Sequence, residues 1–304
     1  MSRSGRGRGP DAAVTSGLSI AIGSGDGSVP TPGRLLGQGT RSEVFALVDG
    51  RVLKLLLPDY ASLADVEAGI LSELAAAGVH APRVDTIVEL DGRPGLIFGN
   101  LRPGRTLSRE VRARPWRIVA AARELAALHA AVHLHTAPGL PSQRERIEAQ
   151  IRHAAVVPSE VRHTALTVLD TLPDGDAVCH DDVHMLNVIV YPGGGMLIDW
   201  ALATRGNPSA DVATALLQLR FGELPGRGVA AAALEVGRRV FCRAYLGRYL
   251  QLRPEAAAEI QRWALPAAVA LAGRREGRMQ RQLIRRIEAL LRARQALERR
   301  RKLP

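Results

Sequence analysis

The stretch HDDVHMLN, residues 180–187, stands near the middle of the chain and has the pattern H-x-D-x-x-x-x-N, formed by His180, Asp182 and Asn187. An apolar run that follows ends at Asp199, twelve positions after Asn187. A carboxylate on a loop, followed by two oxygen-bearing side chains on either side of a hairpin, is the arrangement that phosphoryl transfer requires. The pattern therefore predicts Asp182 as the catalytic residue and Asn187 and Asp199 as ligands of magnesium, which prefers hard oxygen donors.

Four other polar residues belong to this region. We expect His180 to shape the loop by packing and hydrogen bonding rather than to act as a base. His184 is either a substrate contact or a satisfied structural histidine, and Asp181 either points away or attracts a substrate amine. Asp211 opens a predicted helix, which is typical of an N-cap, but a buried aspartate there would also accept hydrogen bonds from the backbone of the loop.

Lysine usage points to a second site. The chain contains only Lys54 and Lys302, and arginine supplies its other positive charges. Lys54 stands alone in an apolar predicted strand, where a compact ammonium suits phosphate oxygens, although chance in an arginine-rich composition explains it equally well. Glu67 follows thirteen residues later on a predicted helix, near its buried face, and we expect it to orient Lys54 in preference to Asp65 and Glu73.

Two backbone segments complete the predicted nucleotide site. Gly37 and Gly39 lie between two strands, where they would let backbone amides approach phosphates, although a plain hairpin turn has the same appearance. No Gly-Lys-Ser/Thr follows, so the segment is not a P-loop. Gly99 and Leu101 lie in the linker after the last predicted N-terminal strand, where backbone groups would pair with an adenine edge.

The alternation of strands and helices predicts an α+β chain of two lobes with a cleft between them. Residues 1–30 are rich in Gly, Ser and Arg and are typical of a disordered leader. Residues 31–101 predict a small β-rich N-lobe for nucleotide binding, and residues 102–272 a larger, mostly helical C-lobe for catalysis and substrate binding, with one long apolar periodicity over 107–135. Residues 273–304 predict a basic C-terminal helix.

The formal net charge of +11 belongs to the two ends of the chain. The first ten residues hold three arginines, residues 273–304 hold twelve Arg or Lys against three Glu, and the rest is close to neutral. An apolar stripe on the arginine-rich C-terminal segment runs from Leu283 to Leu297. It predicts either a helix docked on the C-lobe or, less favoured, a contact with nucleic acid or an anionic surface.

The remaining composition excludes some classes of protein. No apolar run reaches the ~18 residues of a membrane span, and the first residues lack the apolar core of a signal peptide. The two cysteines, Cys179 and Cys242, have no metal-like or paired spacing. We therefore expect a reduced, cytoplasmic protein without disulfides.

Taken together, the motifs resemble those of the aminoglycoside phosphotransferase family of the protein-kinase-like superfamily, which includes choline-kinase-like enzymes. HDDVHMLN is similar to the family loop H-G-D-x-H-x-x-N, with Asp181 in place of glycine and Met185-Leu186 in place of a common Pro-Gly pair. Ile198-Asp199-Trp200 resembles the family's metal motif. The segment 206–211 resembles the following G-[DN]-P-x-x-D, and Leu128-His129 resembles the family's Leu-His helix.

The resemblance implies a bilobal protein-kinase-like fold and transfer of the γ-phosphate of ATP, with Mg²⁺, to a hydroxyl of a small molecule. A catalytically silent nucleotide-binding or scaffold protein of the same fold is the alternative. The resemblance does not imply an antibiotic as substrate. Residues 205–272 contain five scattered carboxylates, which favours an acceptor less cationic than a typical aminoglycoside.

Overall fold

A computed structural model describes residues 31–222 and 228–301 of the chain, so the predicted leader, 1–30, lies outside the described residues. Its first part is an antiparallel sheet with the order β1-β2-β3-β5-β4. The strands are β1 (Leu35–Gln38), β2 (Ser42–Ala46), β3 (Val52–Leu56), β4 (Val84–Leu90) and β5 (Arg93–Phe98). The helix α1 (Leu63–Ala76) is inserted between β3 and β4 and buries Leu71 and Leu74.

The turn between β4 and β5 shows how the sequence forms the sheet. Leu90 pairs with Arg93, so only Asp91 and Gly92 connect the strands. Both have positive φ, +50° and +72°, which is the geometry of the two-residue turn that matches the twist of a hairpin. Asp-Gly is a preferred sequence for that turn, so the types of these two residues favour the hairpin.

The second part of the chain is mostly helical, and the α+β fold class is confirmed. Its helices are α2 (Leu107–Ala113), α3 (Ile118–Val132), α4 (Gln143–His153), α5 (Ser159–Asp170), α6 (Pro208–Phe221), α7 (Gly228–Leu252), α8 (Ala257–Gly273) and α9 (Gly277–Arg301). The continuous periodicity over 107–135 is split into α2 and α3. Pro115 forces Arg114 out of the helical conformation, to φ −135° and ψ 74°, and so ends α2.

The motif residues lie beside short strands between α5 and α6, which are joined by β6 from the segment before α2. β7 (Ala177–Cys179) pairs with β10 (Thr204–Gly206), and β8 (Val188–Tyr191) pairs with both β6 (Arg105–Thr106) and β9 (Gly194–Leu197). The loop 180–187 therefore runs from the end of β7 to the start of β8. The hairpin of β8 and β9 returns the chain to the same end, where Asp199 follows.

The C-terminal helix α9 packs on the helical part through its apolar stripe. Met279, Leu283 and Ile287 are buried, whereas Leu297, near the end of the helix, is 61% exposed. Most of the stripe is thus part of the core, which favours the docked interpretation over a free binding face. None of the described helices is both long enough and apolar enough to cross a membrane.

Candidate active site

The hairpin of β8 and β9 brings Asn187 and Asp199 together. Val188 pairs with Leu197, and the backbone N–H of Ile198 donates to the carbonyl of Asn187 at 2.9 Å. The two predicted metal ligands therefore stand at the same end of one hairpin. Asn187 is buried, whereas the carboxylate of Asp199 is 48% exposed and can meet a ligand in the cleft.

Lys54 joins the sheet to the helical part of the chain. Its Nζ lies 2.7 and 2.8 Å from the two carboxylate oxygens of Glu67 and 2.9 Å from Asp199 Oδ1. The rival carboxylates Asp65 and Glu73 are exposed on the same helix. Burial lowers the pKa of Lys54, but the charges of Glu67 and Asp199 outweigh it and raise that pKa, so the ammonium stays charged. Burial also raises the pKa of Glu67, although Lys54 opposes the shift.

Asp182 is held through both carboxylate oxygens. Oδ1 accepts from Gln218 Nε2 at 2.6 Å and lies 3.3 Å from Arg275 Nη2. Oδ2 accepts from Asn187 Nδ2 at 3.2 Å and lies 3.4 Å from His184 Nε2. Burial raises the pKa of Asp182, but the hydrogen bond and charge of His184, with the charges of His180 and Arg275, hold it well below its usual value.

Two of these contacts were not foreseen in the sequence. Gln218 lies on α6 and Arg275 between α8 and α9, 36 and 93 positions from Asp182. No local pattern marks either residue, because each reaches Asp182 only through the packing of helices.

Asp211 anchors the backbone of the loop. Its Oδ2 accepts from His180 N–H at 2.6 Å and its Oδ1 from Asp181 N–H at 3.0 Å. The N-cap interpretation of Asp211 is wrong: Asn207 caps α6, because its side chain accepts from Ser209 N–H at 2.8 Å. Asp211 belongs to the first turn of α6 and is completely buried. Because its side chain does not cap the helix, both carboxylate oxygens can accept hydrogen bonds from the backbone of the loop.

Two histidines and two tyrosines surround the Asp211 carboxylate. His129 Nε2 lies 3.0 Å and His133 Nε2 3.4 Å from Asp211 Oδ2, and their Nδ1 atoms lie 2.6 and 2.7 Å from the hydroxyls of Tyr245 and Tyr249. Burial raises the pKa of Asp211, but the two histidines outweigh it and keep that pKa low. Burial, with the neighbouring His129, lowers the pKa of His133 to about 4.

Of the four residues around Asp211, only His129 stands in a motif noted in the sequence, the Leu128-His129 pair. The missed signal is a matched spacing: His129 in the last turn of α3 and His133 at its C-terminal cap are four residues apart, as are the two tyrosines on α7. Residues four apart share one helix face, so two such pairs can meet where the helices pack side by side.

Asp181 is turned into the protein interior. It is 6% exposed, it accepts from Gln143 Nε2 at 3.0 Å and Thr204 Oγ1 at 2.5 Å, and its carboxylate lies 3.7 Å from Arg146. The alternative in which Asp181 meets a substrate amine therefore does not fit the structure. Its φ of +61° is the left-handed conformation that glycine adopts most easily, and these three contacts offset the strain.

The two histidines of the loop differ in exposure. His180 is completely buried, its Nε2 lies 3.1 Å from the Ile198 carbonyl, and its ring packs on Trp200 with centroids 4.4 Å apart. These contacts shape the loop. His184 is 29% exposed beside Asp182 and Asn187, so a bound molecule can reach it.

A cleft of about 190 Å³ lies between the sheet and the helical part. It is lined by residues of the β1–β2 turn, by the Lys54 cluster and by the helical part: Gly39, Thr40, Arg41, Ser42, Lys54, Leu56, Leu63, Glu67, Asp182, Asp199, Ala201, Leu202, Arg274 and Arg275. Gly37 lies in β1, two residues before Gly39, and is not among the residues that line the cleft. A Cβ added at Gly37 would meet nothing within 4 Å, so protein packing does not demand a glycine there.

The linker residues Gly99 and Leu101 are partly engaged within the protein. Gly99 N–H donates to the Arg83 carbonyl at 3.0 Å, and the Gly99 carbonyl accepts from Arg102 at 2.8 Å. The N–H of Gly99 is thus committed to the protein. Pairing of Gly99 and Leu101 with an adenine edge stays a prediction and would rest on their other backbone groups.

The family model described as the phosphotransferase enzyme family matches residues 33–246. This range includes Lys54, Glu67, the loop 180–187, Asp199 and Asp211. A search of curated protein sequences found no match.

Solved structures of similar fold include two aminoglycoside phosphotransferases and a choline kinase. The chain is 17% identical to a thermostable mutant of aminoglycoside phosphotransferase APH(4)-Ia in ternary complex with ADP and hygromycin B, over 85% of this chain and 92% of that one, with a TM-score of 0.60. It is 21% identical to aminoglycoside-3'-phosphotransferase of type VIII, over 80% and 91%, with a TM-score of 0.53.

The third structure is choline kinase from Cryptosporidium parvum Iowa II. The identity is 15% over 89% of this chain and 91% of that one, with a TM-score of 0.53. At such identities the likeness establishes the shared, protein-kinase-like fold and leaves the acceptor open.

Proposed function

The chain belongs to the phosphotransferase enzyme family, and from this premise we propose that it transfers the γ-phosphoryl group of ATP to a hydroxyl group of a small molecule. The observation that carries the proposal is the contact of Lys54 with both Glu67 and Asp199 in the cleft that Asp182 also lines. The cleft thus contains an ammonium that can bind phosphate, Lys54, and a carboxylate that can bind a metal ion, Asp199. It also contains a carboxylate that can accept the proton of a hydroxyl group, Asp182.

The residues present fit magnesium. Asn187 uses its Nδ2 to donate to the backbone carbonyl and the carboxylate of Asp182, which leaves its Oδ1 as the oxygen for a cation. Asp199 adds an anionic oxygen that is half exposed. Both are hard oxygen donors of the kind that Mg²⁺ takes together with phosphate oxygens and water. When bound, the ion would neutralise negative charge that develops between the β- and γ-phosphates.

The role of Asp182 follows from its surroundings. In the transfer, the acceptor oxygen forms a bond to the γ-phosphorus, the bond from that phosphorus to the β–γ bridging oxygen breaks, and ADP leaves with the electron pair. The hydroxyl proton passes to Asp182. A low pKa makes this carboxylate a weak base, which suits a loose transition state in which the hydroxyl must be oriented early and deprotonated late.

The other residues support this geometry without touching the reacting atoms. Lys54 would bind phosphate oxygens of the nucleotide, with Glu67 fixing its position. His180 and Asp211 hold the loop through packing and backbone hydrogen bonds. We also propose the division of the described chain into a nucleotide-binding part, 31–101, and a catalytic part, 102–272, with Gly37 and Gly39 of the first part facing phosphate.

The test is an ADP-release assay on the purified full-length chain with Mg-ATP and a panel of aminoglycosides, macrolides, choline, amino alcohols and sugars. Turnover of one acceptor class is expected, and Asp182→Asn should lower it by about 10²- to 10⁴-fold while Mg-ATP still binds. Asp170→Asn, an exposed carboxylate on α5, is the matched control.

The silent-scaffold alternative has its own signature. It requires ATP affinity that neither Mg²⁺ nor Lys54→Met changes, together with no turnover of any acceptor. Asp182→Asn protein that phosphorylates as fast as the parent would contradict the role given to Asp182.

A further inference from the structure

Arg275 lines the cleft beside Asp182. It lies in the turn between α8 and α9, and its Nη2 is 3.3 Å from Asp182 Oδ1. Its side chain is 34% exposed and lines the cleft, so a bound molecule can reach it. The proposed transfer gives this guanidinium no role.

Three residues that contact Asp182 each have a buried polar atom without a hydrogen-bond partner in the described part of the chain. These atoms are Arg275 Nε, Gln218 Oε1 and His184 Nδ1. Gln218 donates its amide to Asp182, so its carbonyl oxygen is left without a donor. A buried polar atom without a partner is costly, and Arg275 also lines the cleft, where a ligand can supply the missing group. An anionic oxygen would accept a hydrogen bond from Arg275 Nε, and a hydroxyl group would donate one to Gln218 Oε1.

The charges of the cleft favour the same kind of ligand. Two arginines of its described lining, Arg274 and Arg275, come from the segment between α8 and α9, whereas Arg41 lies on the β1–β2 turn beside the proposed phosphate site. The carboxylates in that lining are already paired: Glu67 and Asp199 with Lys54, and Asp182 with Arg275. Nearby Asp181 is likewise taken by Arg146. A substrate with several ammonium groups would meet guanidinium groups here, whereas an anion would meet opposite charge.

We propose that the acceptor of this chain carries an anionic group, a carboxylate or a phosphate, close to its reactive hydroxyl, and that Arg275 binds that group. This inference rests on the phosphotransferase activity proposed above. Gln218 Oε1 accepts a hydrogen bond from a second hydroxyl of the same molecule. The acceptor draws the guanidinium away from Asp182, whose Oδ1 then accepts the reactive hydroxyl. Arg275 is therefore a specificity-determining residue that also keeps the carboxylate paired until an acceptor arrives.

The experiment compares matched acceptors that differ in charge. Glycerol 3-phosphate is set against glycerol, glucose 6-phosphate against glucose, and glycerate against glyceramide, with hygromycin B as a polycation. Binding is measured by titration calorimetry and turnover by ADP release with Mg-ATP. An anionic member should bind at least about tenfold more tightly than its neutral partner, as expected for one charge-assisted hydrogen-bonded pair.

The variants assign that preference to one side chain. Arg275→Gln should abolish the preference by raising Kd and KM for the anionic acceptor by a larger factor than for its neutral partner. Arg278→Gln, an exposed arginine three positions along, should leave every value unchanged. Arg275→Lys keeps the charge without the planar fork and should retain part of the preference, which covers the case in which the Gln variant does not fold.

The outcomes separate this inference from the proposed function. Equal binding of charged and neutral partners by the parent chain, or tightest binding of hygromycin B, overturns the inference even if ADP is formed. A loss of kcat that is equal for all acceptors also overturns it, because Arg275 would then act on the phosphoryl group. Arg275-dependent binding of an anionic acceptor without ADP release supports the inference and contradicts the proposed function.

Discussion

Lys54 Nζ lies 2.9 Å from Asp199 Oδ1, although 145 positions of sequence separate the two residues. The contact joins the third strand of the N-terminal sheet to the end of the β8–β9 hairpin. Glu67 holds the same ammonium from α1, so one cation fixes three elements around the cleft. The two parts of the chain thus meet at the residues that the proposed transfer needs.

Lys54→Met should separate the catalytic role of this cation from its structural one. Activity is expected to fall by about 10²- to 10³-fold, as when one preorganised electrostatic group is removed. The free energy of unfolding should fall by about 3 kcal/mol, because Glu67 is left as a buried, unpaired carboxylate. Rates and chemical unfolding curves measure the two effects.

The double variant Lys54→Met, Glu67→Gln is the control for that interpretation. The double variant removes the unpaired charge of Glu67, so the free energy of unfolding should return towards the parent value while activity stays low. Glu73→Gln, an exposed carboxylate on the same helix, should affect neither quantity. A Lys54→Met protein with parental activity would contradict the role proposed for Lys54.

Asp181→Asn should change how stability depends on pH. Burial and the neighbouring Asp211 raise the pKa of Asp181 to about 6, above the ordinary 3.8 of an unfolded chain. The folded state therefore binds the proton more tightly, and this residue lowers stability as pH rises from about 4 to 6. Replacing it should make the variant gain stability relative to the parent over that interval, by at most about 3 kcal/mol. If the stability of the two proteins changed with pH in the same way, the burial of this charge would be contradicted.

His133→Gln should change the pH dependence of stability in the opposite direction to Asp181→Asn, over nearly the same pH interval. The folded-state pKa of about 4 lies below the ordinary 6.5, so the unfolded state binds the proton more tightly. The residue therefore adds stability above pH 6.5 that is lost as pH falls towards 4. The variant should lose stability relative to the parent as pH rises from 4 to 6.5. The comparison is thermal unfolding at half-unit pH steps, and a difference that does not change with pH would be evidence against a neutral buried imidazole.

Leucines at two positions of α9 distinguish a docked helix from a binding face. Leu283 is completely buried, so Leu283→Ala should lower the free energy of unfolding by about 2–5 kcal/mol. Leu297 is 61% exposed, so Leu297→Ala should change it by less than about 0.5 kcal/mol. Denaturant unfolding measures both. If only the second variant altered binding to DNA or anionic liposomes, the exposed end of α9 would be a binding surface after all.

Sequence patterns located most of the candidate site because its key residues are local in the chain. The loop 180–187 and Asp199 flank one hairpin, so their spacing alone indicates a shared end. Glu67 could be chosen over Asp65 and Glu73 because helical periodicity distinguishes a buried face from an exposed one. The two-residue turn at 91–92 likewise has a residue pair, Asp-Gly, that is preferred in such turns.

The environment of Asp182 could not be predicted in this way. Gln218 and Arg275 come from helices whose positions depend on how α6, α8 and α9 pack. The role of Asp211 changed for the same reason: in sequence it opens a helix, but in space its carboxylate faces the backbone of a loop thirty positions earlier.

Short spacings and periodicities in the chain are enough to predict the α+β fold class, the order of its main elements and the residues for the proposed phosphoryl transfer. The surroundings of those residues depend on tertiary packing. It turned Asp181 inward, assembled two histidines and two tyrosines around Asp211, and placed Arg275 against Asp182. The physical reason is that burial and electrostatic contact depend on distances between segments far apart in the chain, which packing alone sets.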